Sequence, residues 1–150
     1  MRIGIATDHG GFGLKEELIA RIRTAGHEVV DFGAHSLNPD DDYPDYVVPL
    51  GQAVVAGKVD RCVVICGSGV GASVGANKAN GVRACLIHDH FSAKEGVEDD
   101  HTSILPWADE PLARKSLGIS SQLISPPNTA APRDIFHVRQ HRAGKVAALE

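Results

Sequence analysis

The sequence predicts an α/β fold in which helices cover both faces of a parallel sheet, and two observations favour it. Short β-branched runs alternate with longer amphipathic stretches from residue 3 to residue 87. The central runs are continuously apolar, as in strands that are buried on both faces. Because 150 residues are the size of one ordinary domain, we expect residues 1–150 to form a single three-layer α/β/α sandwich.

The predicted elements follow each other in strict alternation. β-branched and apolar runs predict four strands, at residues 3–6, 27–32, 62–65 and 82–87. Amphipathic patterns predict helices between them, at residues 14–23, 46–56 and 72–80. One further strand and a long covering helix would complete a five-stranded parallel sheet. Residues 106–136 are atypical for that role because five prolines lie between Pro106 and Pro132, and a helical pattern resumes only at 137–150.

The composition argues against nucleic-acid-binding and membrane proteins. A formal net charge of -4 gives no general attraction for polyanions, so nucleic acid is not an expected partner. No apolar run approaches the roughly 20 residues of a membrane span, and the first residues lack the layout of a signal peptide. Three cysteines, an odd number in apolar surroundings, are typical of a reducing compartment. We therefore expect a soluble cytoplasmic protein without a membrane partner.

The strongest chemical signal is a glycine-rich loop between a predicted strand and a predicted helix, Cys66-Gly67-Ser68-Gly69-Val70-Gly71-Ala72. Glycines allow a sharp turn that brings several N–H groups to one point, and the following helix start adds partial positive charge. A phosphate or a developing oxyanion would suit such a loop, and Cys66 could act there as base or nucleophile. A tight turn without a ligand and a loose dinucleotide fingerprint are the alternatives. Cysteine phosphatase chemistry is disfavoured because Ala72 stands where an arginine would be needed.

Two further polar groups follow predicted strands. Asp8-His9-Gly10-Gly11 comes after the first strand, so Asp8 and His9 should lie at the same sheet edge as Cys66 and could bind sugar hydroxyls or assist ring opening. Asp8 could instead simply cap the next helix. The acidic and histidine residues at 88–90 and 98–101 match no metal-site spacing, and no Cys-x-x-Cys pair occurs, so neither metal nor cofactor is expected.

Combined motifs over residues 1–105 closely resemble the ribose-5-phosphate isomerase B and galactose-6-phosphate isomerase family. The resemblance is carried by Asp8-His9-Gly10-Gly11, Asp42-Tyr43-Pro44-Asp45-Tyr46, Cys66-Gly67-Ser68-Gly69-Val70-Gly71, Ala76-Asn77-Lys78, Gly81-Val82-Arg83-Ala84 and His88-Asp89 with Ser92-Ala93. It implies a Rossmann-like sandwich that forms a homodimer, or a tetramer built from it, with active sites shared between subunits. It also implies metal-free aldose–ketose isomerisation of a sugar phosphate through a cis-enediol.

The resemblance assigns roles to single residues. Cys66 becomes the base that moves a proton between C1 and C2, and the loop residues Gly67, Ser68, Gly69, Val70 and Gly71 become the anion hole for the enediolate. Substrate-binding positions match Asp8, His9, Tyr43 and Asp100.

The chain departs from the family pattern at the ring-opening acid. Many members carry a histidine where this chain has Asp99. Asp99 could replace it if its pKa were raised, or His101 could act from two residues further on. A subgroup of the family has the same Gly-Val-Glu-Asp-Asp sequence, so the change could mark another substrate.

The second departure concerns residues 106–136, where the family has a glycine-arginine turn and a long helix. We interpret this segment as a compensated frameshift in the coding sequence, entering near Leu105 and corrected near His137, and resequencing both points tests that hypothesis. Arg139 and Arg142 are the candidates for binding the substrate phosphate, since a guanidinium can hold it with two hydrogen bonds.

The sequence leaves three functions open. The first is an aldose–ketose isomerase, with ribose 5-phosphate as the preferred substrate. The second is a non-catalytic phosphosugar-binding protein that has lost its ring-opening residues. The third is a nucleotide-binding regulatory module, which would be indifferent to Cys66→Ala.

Overall fold

The computed structural model describes residues 1–108, which form a parallel sheet between two layers of helices. The elements are β1 Arg2–Thr7, a 3-10 turn His9–Gly11, α1 Phe12–Thr24, β2 Glu28–Asp31, α2 Pro44–Val55, β3 Arg61–Cys66, α3 Val70–Ala76, α4 His90–Glu98 and β4 Ile104–Ala108. The strands are all parallel and lie in the order β2-β1-β3-β4. The α/β class and the layered arrangement predicted from the sequence are confirmed.

Side chains that alternate along the central strands pack into two separate cores, one on each face of the sheet. On one face, Ile3 and Ile5 of β1 and Ile65 of β3 pack with the apolar sides of α1 and α4. On the other face, Cys62 and Val64 of β3 pack with α2 and α3. Because β1 and β3 are buried on both sides, their continuous apolar runs are explained by the two helical layers. Cys66 ends β3 on the α2 and α3 face.

The predicted strand at residues 82–87 is wrong as a regular strand. This segment runs parallel to β4 but forms only isolated bridges, at Ala84 and Ile87. The Cys85 and Ile87 N–H groups donate to β4 carbonyls, including that of Pro106. In a parallel ladder the return bond would come from the N–H of residue 106 to the carbonyl of residue 85, and proline has no N–H. Within residues 1–108 the sheet therefore has four strands instead of the five expected.

Two elements at the end of the described chain were not predicted. Asp89 begins α4 as its N-cap, accepting hydrogen bonds from the Ser92 N–H at 2.8 Å and the Ser92 hydroxyl at 2.7 Å. β4 then pairs with β3 in a register that sets Ile104 beside Cys62 and Ala108 beside Cys66. The strand includes the first residues of the segment interpreted as atypical. The predicted helical patterns after residue 108 lie outside the described residues.

The edge strand β2 is tied to the start of α1 by a buried ion pair. Lys15 Nζ donates to both carboxylate oxygens of Asp31, at 3.0 and 2.8 Å, and also to the Ala34 carbonyl. The Lys15 side chain is 2% exposed, so its ammonium needs all of these partners. The turn that follows β2 is thereby held next to the carboxyl end of β1, where Thr7 exchanges hydrogen bonds with Gly33 and Ala34.

Candidate active site

The loop after β3 folds around the sulfur of Cys66. Gly69 has a left-handed φ of 74° and begins α3, which turns its N–H back toward the strand end. That N–H donates to Cys66 Sγ at 3.0 Å, and the backbone N–H groups of Ser68 and Ala72 also act on the sulfur. A side chain at position 69 would collide with Leu86, since its Cβ would lie 2.4 Å from Leu86 Cδ1. The left-handed conformation favours glycine at this position, and Leu86 would have to move to admit a side chain.

Two opposing effects act on the Cys66 thiol. Burial raises its pKa, because the sulfur is largely shielded from water, and the charge of Asp8 raises it further. The N–H of Gly69, with smaller help from Ala72 and Ser68, stabilises the thiolate and lowers the pKa. The net pKa of Cys66 lies above the ordinary value for cysteine. The loop N–H groups therefore offset only part of the effect of burial on the thiolate.

The loop after β1 lies directly against the cysteine loop. A Cβ on Gly10 would sit 2.8 Å from the backbone nitrogen of Gly67, so only glycine permits this approach. Asp8 accepts the Gly10 N–H at 2.9 Å and thereby caps the 3-10 turn. The capping role predicted as an alternative for Asp8 is confirmed, although Asp8 caps the 3-10 turn that precedes α1 and not α1 itself. Burial raises the pKa of Asp8, although the Gly10 N–H opposes the change.

His9 sits at the mouth of this site and is half exposed. Its ring Nδ1 lies 2.8 Å from Asp41 Oδ1, and its backbone N–H donates to the same oxygen at 2.9 Å. The other oxygen, Oδ2, accepts the Tyr46 hydroxyl at 3.0 Å. The hydrogen bond to Asp41 raises the pKa of His9 above its usual value. Burial raises the pKa of Asp41, but the hydrogen bonds from His9 and Tyr46 outweigh it and leave a net lowering.

Sequence reasoning did not identify Asp41 as a site residue. The signal was weak, because Asp41 is one of three consecutive aspartates at positions 40–42. Only the approach of two loops separated by about thirty residues distinguishes it from its neighbours.

Tyr43 packs on α3 directly behind the cysteine loop. Added Cβ atoms on Gly71 and Gly75 would lie 2.9 and 3.0 Å from its ring. These two glycines form a flat face on α3 that admits the aromatic ring. The structure therefore brings Asp8, His9, Tyr43 and Cys66 to one edge of the sheet together with residues 67–71.

Asp99, Asp100 and His101 lie at the opposite edge of the sheet within one chain. They form the turn between α4 and β4, whose first residue, Ile104, pairs with Cys62 at the beginning of the neighbouring strand. Asp99 ends α4, and His101 has a left-handed φ of 54°. All three side chains are exposed. A single chain does not bring them to Cys66.

Three further points concern the substrate phosphate, metal ions and membranes. Arg139 and Arg142 lie outside the described residues. In residues 1–108 no group of three or more histidine, cysteine, aspartate or glutamate side chains could hold a metal ion. None of the helices in this part of the chain combines the length and apolar character needed to cross a bilayer.

Comparisons with known proteins agree with this geometry. A family model described as Ribose/Galactose Isomerase matches residues 3–116. The chain is 43% identical over 105 residues to a putative sugar phosphate isomerase of Bacillus subtilis, covering 70% of each sequence. It is 39% identical over 106 residues to ribose-5-phosphate isomerase B of Escherichia coli, covering 71% of this chain and 70% of that protein.

A solved structure extends the likeness to three dimensions. Ribose-5-phosphate isomerase B of Clostridium thermocellum superposes with a TM-score of 0.78 at 37% identity, covering 85% of this chain and 86% of the other. The family model, the sequence identity and the fold lead to one conclusion: this chain belongs to the ribose/galactose isomerase family and is an aldose–ketose isomerase of sugar phosphates.

Proposed function

We propose that the enzyme interconverts ribose 5-phosphate and ribulose 5-phosphate, with Cys66 as the base. The observation that supports this most directly is the convergence of loop N–H groups on Cys66 Sγ, led by Gly69 at 3.0 Å. In this mechanism the thiolate removes the proton from C2 of the open-chain aldose. The same sulfur then delivers a proton to C1 of the cis-enediol while a hydroxyl proton passes from O2 to O1, which gives the ketose.

The loop from Gly67 to Gly71 stabilises negative charge at two stages of the reaction. Before proton transfer its N–H groups stabilise the thiolate, and after transfer the negative charge lies on the enediolate oxygens beside the same loop. Gly67 and Ser68 are exposed, and no atom would meet a Cβ on Gly67 within 4 Å, so the entrance of the loop has room for substrate. We assign Asp8, His9 and Tyr43, which lie around this loop, as substrate-binding residues.

A second subunit completes the site in this proposal. Because Asp99, Asp100 and His101 lie at the far edge of the sheet, the ring-opening acid reaches Cys66 from the partner of a homodimer. Val70 and Val74 on α3 are each 54% exposed next to the cysteine loop, as expected for an apolar surface that a partner covers. Arg139 and Arg142 bind the substrate phosphate. A cytoplasmic location suits the free thiols and the substrate.

Deuterium exchange tests the proposal. The protein is incubated in D₂O with ribose 5-phosphate and, in parallel, with erythrose 4-phosphate and allose 6-phosphate, and proton NMR follows the C2 position. We expect deuterium at C2, fastest for ribose 5-phosphate, and a loss of at least about 10³-fold in Cys66→Ala because the base is removed. Cys85→Ala is the matched control, since Cys85 is an exposed thiol that does not belong to the loop, and it should keep normal exchange.

The outcomes separate the alternatives. Faster exchange with another sugar would replace the proposed substrate and keep the mechanism. Exchange that survives Cys66→Ala would exclude Cys66 as the base. If no sugar phosphate exchanged but all of them bound, the non-catalytic phosphosugar-binding function would be favoured, and preferential binding of nucleotides would indicate the regulatory module.

A further inference from the structure

The carboxylate of Asp41 connects two loops at the entrance of the site. Its side chain is 4% exposed, whereas the His9 side chain beside it is 46% exposed. One oxygen accepts both the backbone and the ring N–H of His9, at 2.9 and 2.8 Å. The Asp41 carboxylate is almost fully buried and therefore has few alternative partners. Its hydrogen bond restricts the orientation of the half-exposed His9 ring.

The other side of Asp41 is anchored to the body of the fold. Tyr46 donates its hydroxyl to Asp41 Oδ2 at 3.0 Å. The Tyr46 ring packs against Gly33, where an added Cβ would lie 2.9 Å from Tyr46 Cε1. The Asp41 N–H also donates to the Asn38 carbonyl at 3.2 Å. The Asp41 carboxylate is therefore held by Tyr46 of α2, whose ring packs on the turn after β2, and the Asp41 backbone is held by its own loop.

The hydrogen bonds determine which ring atom of His9 faces outward. Because Asp41 accepts from Nδ1, that nitrogen carries the proton, and Nε2 is the ring nitrogen that this contact leaves for a ligand. When His9 is charged, Nε2 also carries a proton and can donate to an anionic oxygen. Within the described chain, Asp8 and Asp41 are the charged groups that act on His9, and both favour its charged form.

We propose that Asp41 is a positioning residue of the isomerase, which holds the His9 imidazole so that Nε2 donates a hydrogen bond to an anionic oxygen of the substrate. The proposal rests on the proposed function in taking His9 as a substrate ligand. Asp41 itself does not touch the substrate. It acts through the orientation and protonation of His9.

The test combines turnover with a titration of the ligand-free protein. KM and kcat for ribose 5-phosphate are measured against pH for Asp41→Asn and for Asp40→Asn, which removes the same charge from a neighbouring exposed residue of the same loop. We expect KM to rise roughly tenfold in Asp41→Asn, because a charge-assisted hydrogen bond is replaced by a neutral one, with a smaller change in kcat. Asp40→Asn should behave as the unchanged protein.

Proton NMR supplies the second readout. The His9 resonance, assigned by its loss in His9→Ala, should titrate at lower pH in Asp41→Asn, since the partner that raises the pKa of His9 has lost its charge. In a His9→Ala background, Asp41→Asn should add no further increase in KM. Tyr46→Phe removes only the anchor at Oδ2 and should raise KM in the same direction by less, which provides a second variant if Asp41→Asn fails to fold.

Each contrary result has its own meaning. Equal behaviour of Asp41→Asn and Asp40→Asn in both KM and titration would overturn the positioning role, as would full additivity with His9→Ala. An unchanged protein that does not isomerise sugar phosphates would overturn the proposed function, while the His9 titration would still decide whether Asp41 controls the ring.

Discussion

At the scale of single residues, the reactivity of Cys66 depends on a balance between burial, loop N–H groups and the carboxylate of Asp8. Burial and Asp8 raise the pKa of the thiol, and Gly69 lowers it. Removing the charge in Asp8→Asn should therefore lower the pKa of Cys66 and increase its thiolate fraction at neutral pH. Iodoacetamide alkylation of Cys66, followed against pH by mass spectrometry, measures this change, since only the thiolate reacts.

The alkylation experiment needs a background without competing thiols. Cys85 is exposed and would react, so all proteins carry Cys85→Ser, whereas Cys62 is fully buried. Asp40→Asn removes an equal charge from an exposed loop residue and should leave the alkylation profile unchanged. An Asp8→Asn profile that stays in place or moves to higher pH would show that Asp8 does not act on the thiol.

Residue types and loop positions predicted much of this site, but they could not predict which residues of different loops contact each other. Cys66 and Asp8 could be placed at one edge because parallel strands end on the same side of a sheet. Asp41 could not be chosen among three successive aspartates, because its contact with His9 depends on how the loop before α2 folds back. No local pattern identifies the turn containing Asp99 and His101, which the structure shows as a helix end followed by a left-handed residue.

At the scale of elements, α3 shows a conflict between helix propensity and packing. Alanine in place of Gly71 would favour the helix by about 1 kcal/mol, but its Cβ would lie 2.9 Å from the Tyr43 ring. Because the ring is held between α2 and α3, we expect the clash to prevail and Gly71→Ala to lose activity at least tenfold through displacement of Tyr43. Kinetics and thermal unfolding of the variant measure the two effects.

A double-mutant cycle separates packing from propensity. In a Tyr43→Ala background the space beside α3 is open, so Gly71→Ala should become neutral or stabilising by up to about 1 kcal/mol. The same sign of the stability change in both backgrounds would mean that Tyr43 does not contact Gly71 as described. Gly13→Ala, in α1 with nothing within 4 Å of its Cβ, is the control for propensity alone.

The elements also show where local patterns fail. Residues 82–87 have the composition of a strand, and the Asn77 side chain even pairs with both backbone groups of Ala84, at 2.7 and 3.0 Å. The ladder is interrupted by Pro106, about twenty residues away, whose missing N–H no local pattern in 82–87 could reveal. Conversely, β4 was not predicted, because prolines after residue 105 argued against regular structure. Pro106 is tolerated in this strand because its nitrogen faces the weakly paired segment 82–87.

At the scale of the whole molecule, one chain places its proposed base and its proposed acid at opposite edges of the sheet. Cys66 ends β3, while Asp99 and His101 precede β4, which runs parallel to it. The parallel topology alone therefore requires either a second subunit or a different acid.

Mixed dimers decide whether the site is shared. One parent carries Cys66→Ala, and the other carries Asp99→Asn together with His101→Ala; each should be inactive alone. After co-expression with two affinity tags, half of the dimers are mixed and each mixed dimer has one intact site, so about a quarter of normal activity should return. The purified mixed dimer should then have about half the activity of the unchanged dimer. Activity that remains at the level of the parents would mean that the acid acts within one chain, and an active Asp99→Asn, His101→Ala parent would mean that neither residue opens the ring.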